Sequence, residues 1–275
     1  MTVVVKIGGA RAVDPDGALS DVGSIVESGE DVVVVHGGST AVDDALERMD
    51  MEPEYVETPD GVVGRFTDEE TMEVFSMVFG KLNTELVTAL QNQGVDAIGL
   101  SGVDGGLLTG PRKSAVRVVE DGKRKIRRGD HSGTIEEVNA DLLRLLLGAG
   151  YTPVVTVPMY AEDGTAVNSD ADRAAAAVAG ALGGTLVELT DVPGVLEDPE
   201  DPTTRIDLVE TPEDFERLEA AAEGFMQRKV MAATEALEQG ATRVIVGSAN
   251  ADRPVQQALD GAGTTIEPSA LAEEP

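Results

Sequence analysis

The chain has no cysteine and no tryptophan, and only 3% of its residues are aromatic. Without thiols it can form neither disulfides nor thiolate metal sites. Its core has to be assembled from Val, Leu, Ile, Ala and Met. Positive charge is scarce as well: 21 Lys and Arg stand against 51 Asp and Glu, a formal net charge of −30. That balance disfavours nucleic-acid binding. The two histidines, His36 and His131, are too few for a metal centre, and His36 reads as structural. No apolar run approaches the ~20 residues of a membrane span, and "MTVVVKIGGA" lacks the parts of a secretion signal. Neither G-x-x-x-x-G-K-S/T nor G-x-G-x-x-G occurs, so a P-loop and a dinucleotide fingerprint are both missing.

The acid is spread along the chain rather than gathered in a tail. Apolar runs recur throughout, which argues against disorder. The distribution suits a soluble enzyme of halophilic, cytoplasmic origin. At ~1 M salt the Debye length is about 3 Å, so like charges are screened and the carboxylates keep the protein hydrated.

Six short β-branched runs are present: 2–7, 31–38, 97–102, 152–158, 185–191 and 243–247. They are continuous rather than alternating, as expected for strands covered on both faces. Helical patterns lie between them, so the chain reads as α/β with a mainly parallel sheet. Residues 115–128, "AVRVVEDGKRKIRR", carry an antiparallel hairpin signal instead. A helix starts after Thr67, with Thr67 as N-cap and Glu70 completing a capping box. Met72, Phe75, Phe79, Leu82, Leu86 and Leu90 mark one face, and Gly94 is a stop. Val74, Met77 and Val78 add apolar surface on another side. Such a helix is either central to the core or a homodimer contact, and a homodimer is the reading taken. A lobe boundary falls near 165, where "AEDGTAVNSD" interrupts the pattern, giving lobes 1–165 and 166–275.

Two strands end in paired glycines, Gly8-Gly9 and Gly37-Gly38, and Lys6 stands just before the first pair. Glycine at a strand-to-helix turn lets backbone N–H groups approach an anion, with a helix N-terminus behind them. In a parallel sheet such ends converge on the ligand crevice. The scarce basic residues also cluster. Arg112, Lys113, Arg117, Lys123, Arg124, Lys125, Arg127 and Arg128 all fall within the hairpin region.

The ordered pieces "VVKIGGA" (4–10), "VVVVHGGSTAVDDAL" (32–46), "GRFTDEETMEVFSMVFGKLNTELV" (64–87), "AIGLSGVDGGLL" (97–108), "AVNSDADRAAAAVAGAL" (166–182), "LTDVPGVL" (189–196) and "GFMQRKVMAATEALEQG" (224–240) resemble the amino acid kinase family, in its N-acetylglutamate kinase-like branch. The resemblance implies a three-layer α/β/α sandwich, an N-terminal substrate-binding and dimerisation lobe, a C-terminal nucleotide lobe, and phosphorylation of a carboxylate by ATP with Mg²⁺. It implies that Lys6 and Lys229 neutralise the transferring phosphoryl group and that Asp172 orients them, with an N-cap role as the plainer alternative for Asp172. Arg65, Asn168, Gly37 and Gly38 match substrate-binding positions. Gly8, Gly9, Thr190 and Asp191 match the nucleotide side. Ser39 departs from the third glycine common in the family. No dedicated protein cage for a metal is expected.

Some members of this family act on free N-acetylglutamate. Others act on glutamate or 2-aminoadipate attached to a small acidic carrier protein, LysW. Three features favour the carrier type: a chain beginning directly at the first strand, Phe66 after Arg65, and the basic cluster. The carrier is expected to dock near Lys123, Arg124, Lys125, Arg127 and Arg128, a complementary positive face. The alternatives are free N-acetylglutamate as substrate and, more distantly, carbamate kinase, aspartokinase or uridylate kinase chemistry, or a non-catalytic nucleotide-binding regulator. A hairpin merely paired with the chain's own carboxylates is the plainer reading of the basic cluster.

Overall fold

The computed structural model describes residues 1–8, 15–59, 63–120, 123–222 and 224–272. The chain opens with β1 (Thr2–Ile7), α1 (Pro15–Glu27), β2 (Asp31–His36), α2 (Ser39–Arg48), β3 (Tyr55–Glu57), β4 (Val63–Arg65) and α3 (Glu69–Asn92). It continues through β5 (Ala97–Gly102), β6 (Leu108–Gly110), β7 (Arg112–Glu120), β8 (Lys123–Gly133), β9 (Glu137–Val138), α4 (Ala140–Gly148), β10 (Thr152–Ala161) and β11 (Ala166–Val167). The last part is α5 (Ala171–Leu182), β12 (Thr185–Thr190), β13 (Leu208–Val209), α6 (Pro212–Ala221), α7 (Phe225–Glu238), β14 (Arg243–Ser248), α8 (Pro254–Leu259) and β15 (Thr264–Ile266).

All six anticipated strands form. Together they make the middle of one sheet, in which β14, β12, β1, β2 and β10 are successive parallel neighbours and β5 also pairs with β10. The alternation of side chains along a strand then sorts the core into two layers. Val3, Val5 and Ile7 of β1 face α1 and α8, with Ala18, Leu19, Val22, Val255 and Ala258. Val4 faces the other way, towards α5 and α7, with Ala175, Ala176, Ala179, Val230 and Ala233. Helices on both faces of a mostly parallel sheet are the expected α/β/α sandwich.

Small residues bring α5 close to its neighbours. A Cβ on Gly180 would stand 2.5 Å from Gln239 Cβ and 3.1 Å from the Gln239 backbone, so only glycine fits there. This approach joins the C-terminal ends of α5 and α7, which pack side by side against the sheet.

Helix α3 begins one residue later than its sequence suggests. Asp68 is the N-cap and accepts from Thr71 N at 2.8 Å. Thr67 is buried instead, and its hydroxyl accepts from Asn168 Nδ2 at 3.2 Å. Tertiary contacts thus take the residue that local capping chemistry would have used. The buried side of α3 carries Met72, Val74, Phe75 and Phe79, while Met77 is 58% exposed.

The hairpin forms as β7 and β8, with Ala115 opposite Arg128, Arg117 opposite Ile126 and Val119 opposite Arg124. Its turn residues Asp121 and Gly122 lie outside the described residues.

Candidate active site

Lys6 is the last but one residue of β1 and shares a side-chain face with Val4, towards α5 and α7. Asp170, at the N-cap of α5, accepts from Asp172 N at 2.9 Å and from Arg173 N at 3.1 Å. Capping is therefore done by Asp170, and the carboxylate of Asp172 in the first turn is left to face the sheet. Lys6 Nζ pairs with Asp172 Oδ1, and Lys229 Nζ from α7 lies 3.4 Å from the same oxygen. Two ammonium groups from two separate elements share one carboxylate oxygen.

Burial opposes ionisation of Asp172, but the charges of Lys6 and Lys229 outweigh it and hold the carboxyl down to about 2. Burial likewise disfavours charge on Lys229, yet the neighbouring Glu188 and Asp172 carboxyls raise its pKa. At neutral pH the trio carries one net positive charge at a strand end, in a largely buried place. That is the electrostatic requirement for receiving a phosphoryl group.

A fourth group escapes a reading of the sequence. Glu188 on β12 is the register partner of Lys6 and is completely buried. Among the described residues neither of its carboxyl oxygens has a hydrogen-bond partner. Burial pushes its pKa up to about 8. One glutamate among 51 acidic residues carries no local signal; only the pairing of β1 with β12 reveals it.

On the nucleotide side expected from the sequence, Gly8 follows β1, and Gly9 lies outside the described residues. Thr190 ends β12. Its hydroxyl donates to Asp191 Oδ1 at 3.1 Å, and its carbonyl accepts from Ala249 N at 2.7 Å. The chain leaves β1 for β2 on one side and later returns as β12 on the other, so these residues border a switch point of the sheet.

On the acceptor side expected from the sequence, Gly37 N–H donates to Ile7 O at 3.2 Å, so this donor is already used in the strand ladder. Gly38 caps α2. A Cβ there would lie 2.5 Å from Leu82 Cδ1 and 3.3 Å from the Phe79 ring, so the glycine lets the start of α2 settle on α3. The first N–H groups of α2 have no intrahelical acceptor and remain anion-seeking donors. Arg65 stands beside them, its side chain 7% exposed. It reaches Asp43 Oδ1 at 2.5 Å, Ser39 O at 3.0 Å and Tyr55 Oη at 3.0 Å. Asn168 donates to Thr67, while its own Oδ1 is buried without a partner. The segment 65–67 therefore ties Arg65, the start of α2 and Asn168 together.

The basic residues of the hairpin divide. Arg127 turns inward: it forks onto Glu54 and lies over the Phe66 ring. Arg112 bonds Asp130 O and lies 3.7 Å from Asp163. Arg127 was expected at the carrier-docking face and Arg112 belongs to the same basic cluster; both are held within the chain. Among the described residues Lys113, Arg117, Lys123, Arg124 and Arg128 make no ion pair. Ile126, 68% exposed, stands between Arg124 and Arg128 on β8. A groove of about 620 Å³ opens here, bordered by Thr58, Lys113, Arg117, Arg124 and Ile126.

Two lysines sharing an aspartate at the switch point of a parallel α/β sandwich make a cationic centre of the kind that can receive a phosphoryl group. The chain belongs to the amino acid kinase family, whose profile matches residues 1–248. It is 44% identical over 268 residues to a "[LysW]-aminoadipate kinase" of Thermus thermophilus, covering 96% of this chain and 99% of that protein. It is 42% identical to an "Acetylglutamate kinase" of Methanopyrus kandleri, covering 96% and 99%. A "[LysW]-aminoadipate/[LysW]-glutamate kinase" of Saccharolobus islandicus is 36% identical, covering 96% and 98%. Among solved structures, N-acetylglutamate synthase from Neisseria gonorrhoeae superimposes with a TM-score of 0.78 at 25% identity, covering all of this chain and 60% of that one. Carbamate kinase from Giardia lamblia bound to AMP-PNP gives 0.68 at 17% identity, covering 97% and 98%, a likeness of fold.

Proposed function

We propose that the protein transfers the γ-phosphoryl group of ATP to the side-chain carboxylate of 2-aminoadipate or glutamate held on a LysW-type carrier, in lysine or arginine biosynthesis. The Lys6–Asp172–Lys229 arrangement carries this reading. The acceptor carboxylate is already ionised at neutral pH, so no general base is needed. The barrier is the approach of two anions. Lys6 and Lys229 offset it from two sides of the transferring group, and Asp172 fixes where their charges sit. Arg65, the start of α2 and the open acceptor of Asn168 hold the amino acid. Gly8, Gly9, Thr190 and Asp191 border the nucleotide. In this reading residues 1–165 take the acceptor and residues 166–275 the nucleotide. Mg²⁺, supplied with the ATP, would shield the charge of the phosphates. Among the described residues no group of three or more His, Asp or Glu is clustered as a cation site.

The carrier docks on the outer face of β7 and β8. Arg117, Arg124 and Arg128 supply charge for acidic side chains, and Ile126 supplies an apolar centre. Arg127 holds that face in place from behind. In a salt-rich cytoplasm long-range steering is screened, and these close contacts carry recognition. A homodimer through the outer side of α3 belongs to the same proposal. There Met77 is exposed. No helix among the described residues is long and apolar enough to cross a membrane.

The Methanopyrus relative supports a second reading, with free N-acetylglutamate as acceptor. A hydroxamate assay separates the two. Carrier-bound aminoadipate, carrier-bound glutamate and free N-acetylglutamate are offered side by side with ATP in high salt. Acyl phosphate on a carrier-bound substrate supports the first reading; product from the free acid alone supports the second.

A further inference from the structure

Glu188 has no part in the mechanism above, yet it lies against its centre. Parallel strands place register partners on the same face, so the Glu188 carboxyl points with Lys6 towards α5 and α7. It is 0% exposed, and both oxygens lack a partner among the described residues. The charged groups around it are Lys6 on β1, Asp172 and the capping Asp170 on α5, and Lys229 on α7. On its other side β14 presents Val246 as register partner. A buried carboxyl normally satisfies its oxygens; leaving both open costs several kcal/mol when ionised. Such a group is held neutral unless a cation turns to it.

We propose that Glu188 is a positioning residue that sets the charge of the lysine pair. With Glu188 protonated, Lys6 and Lys229 have Asp172 as their one carboxylate and keep a net positive charge for the phosphoryl group. With Glu188 ionised, Lys229 gains a second counter-ion, the cluster is neutral, and the ammonium is drawn from the phosphate. Anionic nucleotide favours the first state, so its binding draws a proton from solvent onto Glu188. No bond to phosphorus is involved, and the proton returns to solvent when the nucleotide leaves.

The inference rests on the phosphoryl-transfer reading of this site, and its test is separable from turnover. AMP-PNP is titrated into the enzyme at pH 8, without acceptor, in two buffers of different ionisation heat. The free carboxyl titrates near this pH. Wild type is therefore expected to take up about half a proton per site, and Glu188→Gln none. In the kinetic counterpart, wild-type kcat/KM for ATP falls about fivefold between pH 8 and pH 9, and the Glu188→Gln profile stays flat. Proton uptake by wild type stands as a readout even if the variant folds poorly. Equal proton counts in both proteins, or no uptake by wild type, overturns the role of Glu188. Proton uptake on binding by an enzyme that forms no acyl phosphate upholds the role of Glu188 and counts against the proposed reaction alone.

Discussion

The guanidinium of Arg127 lies 4.2 Å from the centroid of the Phe66 ring. The same guanidinium forks onto Glu54, whose carbonyl accepts from Phe66 N at 2.9 Å. Phe66 directly follows Arg65, so the hairpin and the residue proposed to clamp the acceptor are braced against each other. The cation–π contact is worth ~0.5–2 kcal/mol and the charged fork a further ~1.5–3. Arg127→Leu should lower thermal stability measurably and raise the KM for a carrier-bound acceptor. The triple change of Arg117, Arg124 and Arg128 to Ser should do only the second. Exposed charges of this kind contribute ~0–1 kcal/mol to folding. The KM is expected to rise at least tenfold, as an order of magnitude, with the KM for ATP unchanged. Calorimetry and steady-state kinetics on the two variants check this split. An unchanged acceptor KM in the triple variant would remove the docking surface.

Arg65 is fixed by Asp43, Ser39 and Tyr55 before any substrate arrives. A prearranged fork loses little entropy on binding a carboxylate. Arg65→Lys keeps the charge and loses the fork, so the acceptor KM should rise roughly 10–100-fold, equivalent to ~1.4–2.7 kcal/mol. Kinetics with saturating ATP measure it; an unchanged KM would mean that Arg65 only anchors α2.

Two buried groups pull stability in opposite directions with pH. His36 stacks on Phe79, and its Nε2 accepts from Asn83 Nδ2 at 3.2 Å while Nδ1–H donates to Gly37 O. Burial lowers its pKa to about 4. The unfolded chain takes up a proton near 6.5 that the folded protein refuses, so this stability is present above pH 6.5 and lost as pH falls towards 4. Glu188 has the reverse sign. Its pKa is raised from 4.5 to about 8, so its contribution is full below pH 4.5 and lost as pH rises towards 8. Glu188→Gln should therefore match wild type near pH 5 and become the more stable of the two by pH 8. His36→Gln should flatten the loss between pH 6.5 and 4. Denaturation midpoints measured from about pH 4 to about pH 8 test both signs.

The net charge of −30 sets the salt response. Raising salt from 0.1 M to 1 M shortens the Debye length from about 10 Å to 3 Å and relieves self-repulsion. Tm should climb steadily with KCl, by roughly 10 °C or more over that range. A flat response would sever the acidic surface from any high-salt setting.

Much of the sheet could be read from the chain because its central strands are continuous Val- and Ile-rich runs, a pattern that burial on both faces demands. β13, β11 and β9 went unread, since two-residue strands have no period to detect. The hairpin was visible in "VRVV" and "KRKIRR" standing on either side of "EDG". The partner of Arg127 was not, because Glu54 stands 73 residues away with no local pattern joining them. Thr67 was misread as a cap because Thr and Asp both suit that position, and its contact with Asn168, 101 residues on, decided the matter. Asp172 was legible through its motif, but its release from capping by Asp170 required the geometry. Glu188 was legible only as another strand residue.

If Lys6 and Lys229 together receive the phosphoryl group, neither ammonium can be spared. Hydroxamate formation on the carrier-bound acceptor is measured for Lys6→Met and Lys229→Met, each beside wild type at saturating substrates. Removing one such charge typically costs ~10²–10³ in turnover, so each variant should fall by about that factor with its Tm preserved. Turnover within about fivefold of wild type in either variant would mean that the lysine pair does not receive the phosphoryl group.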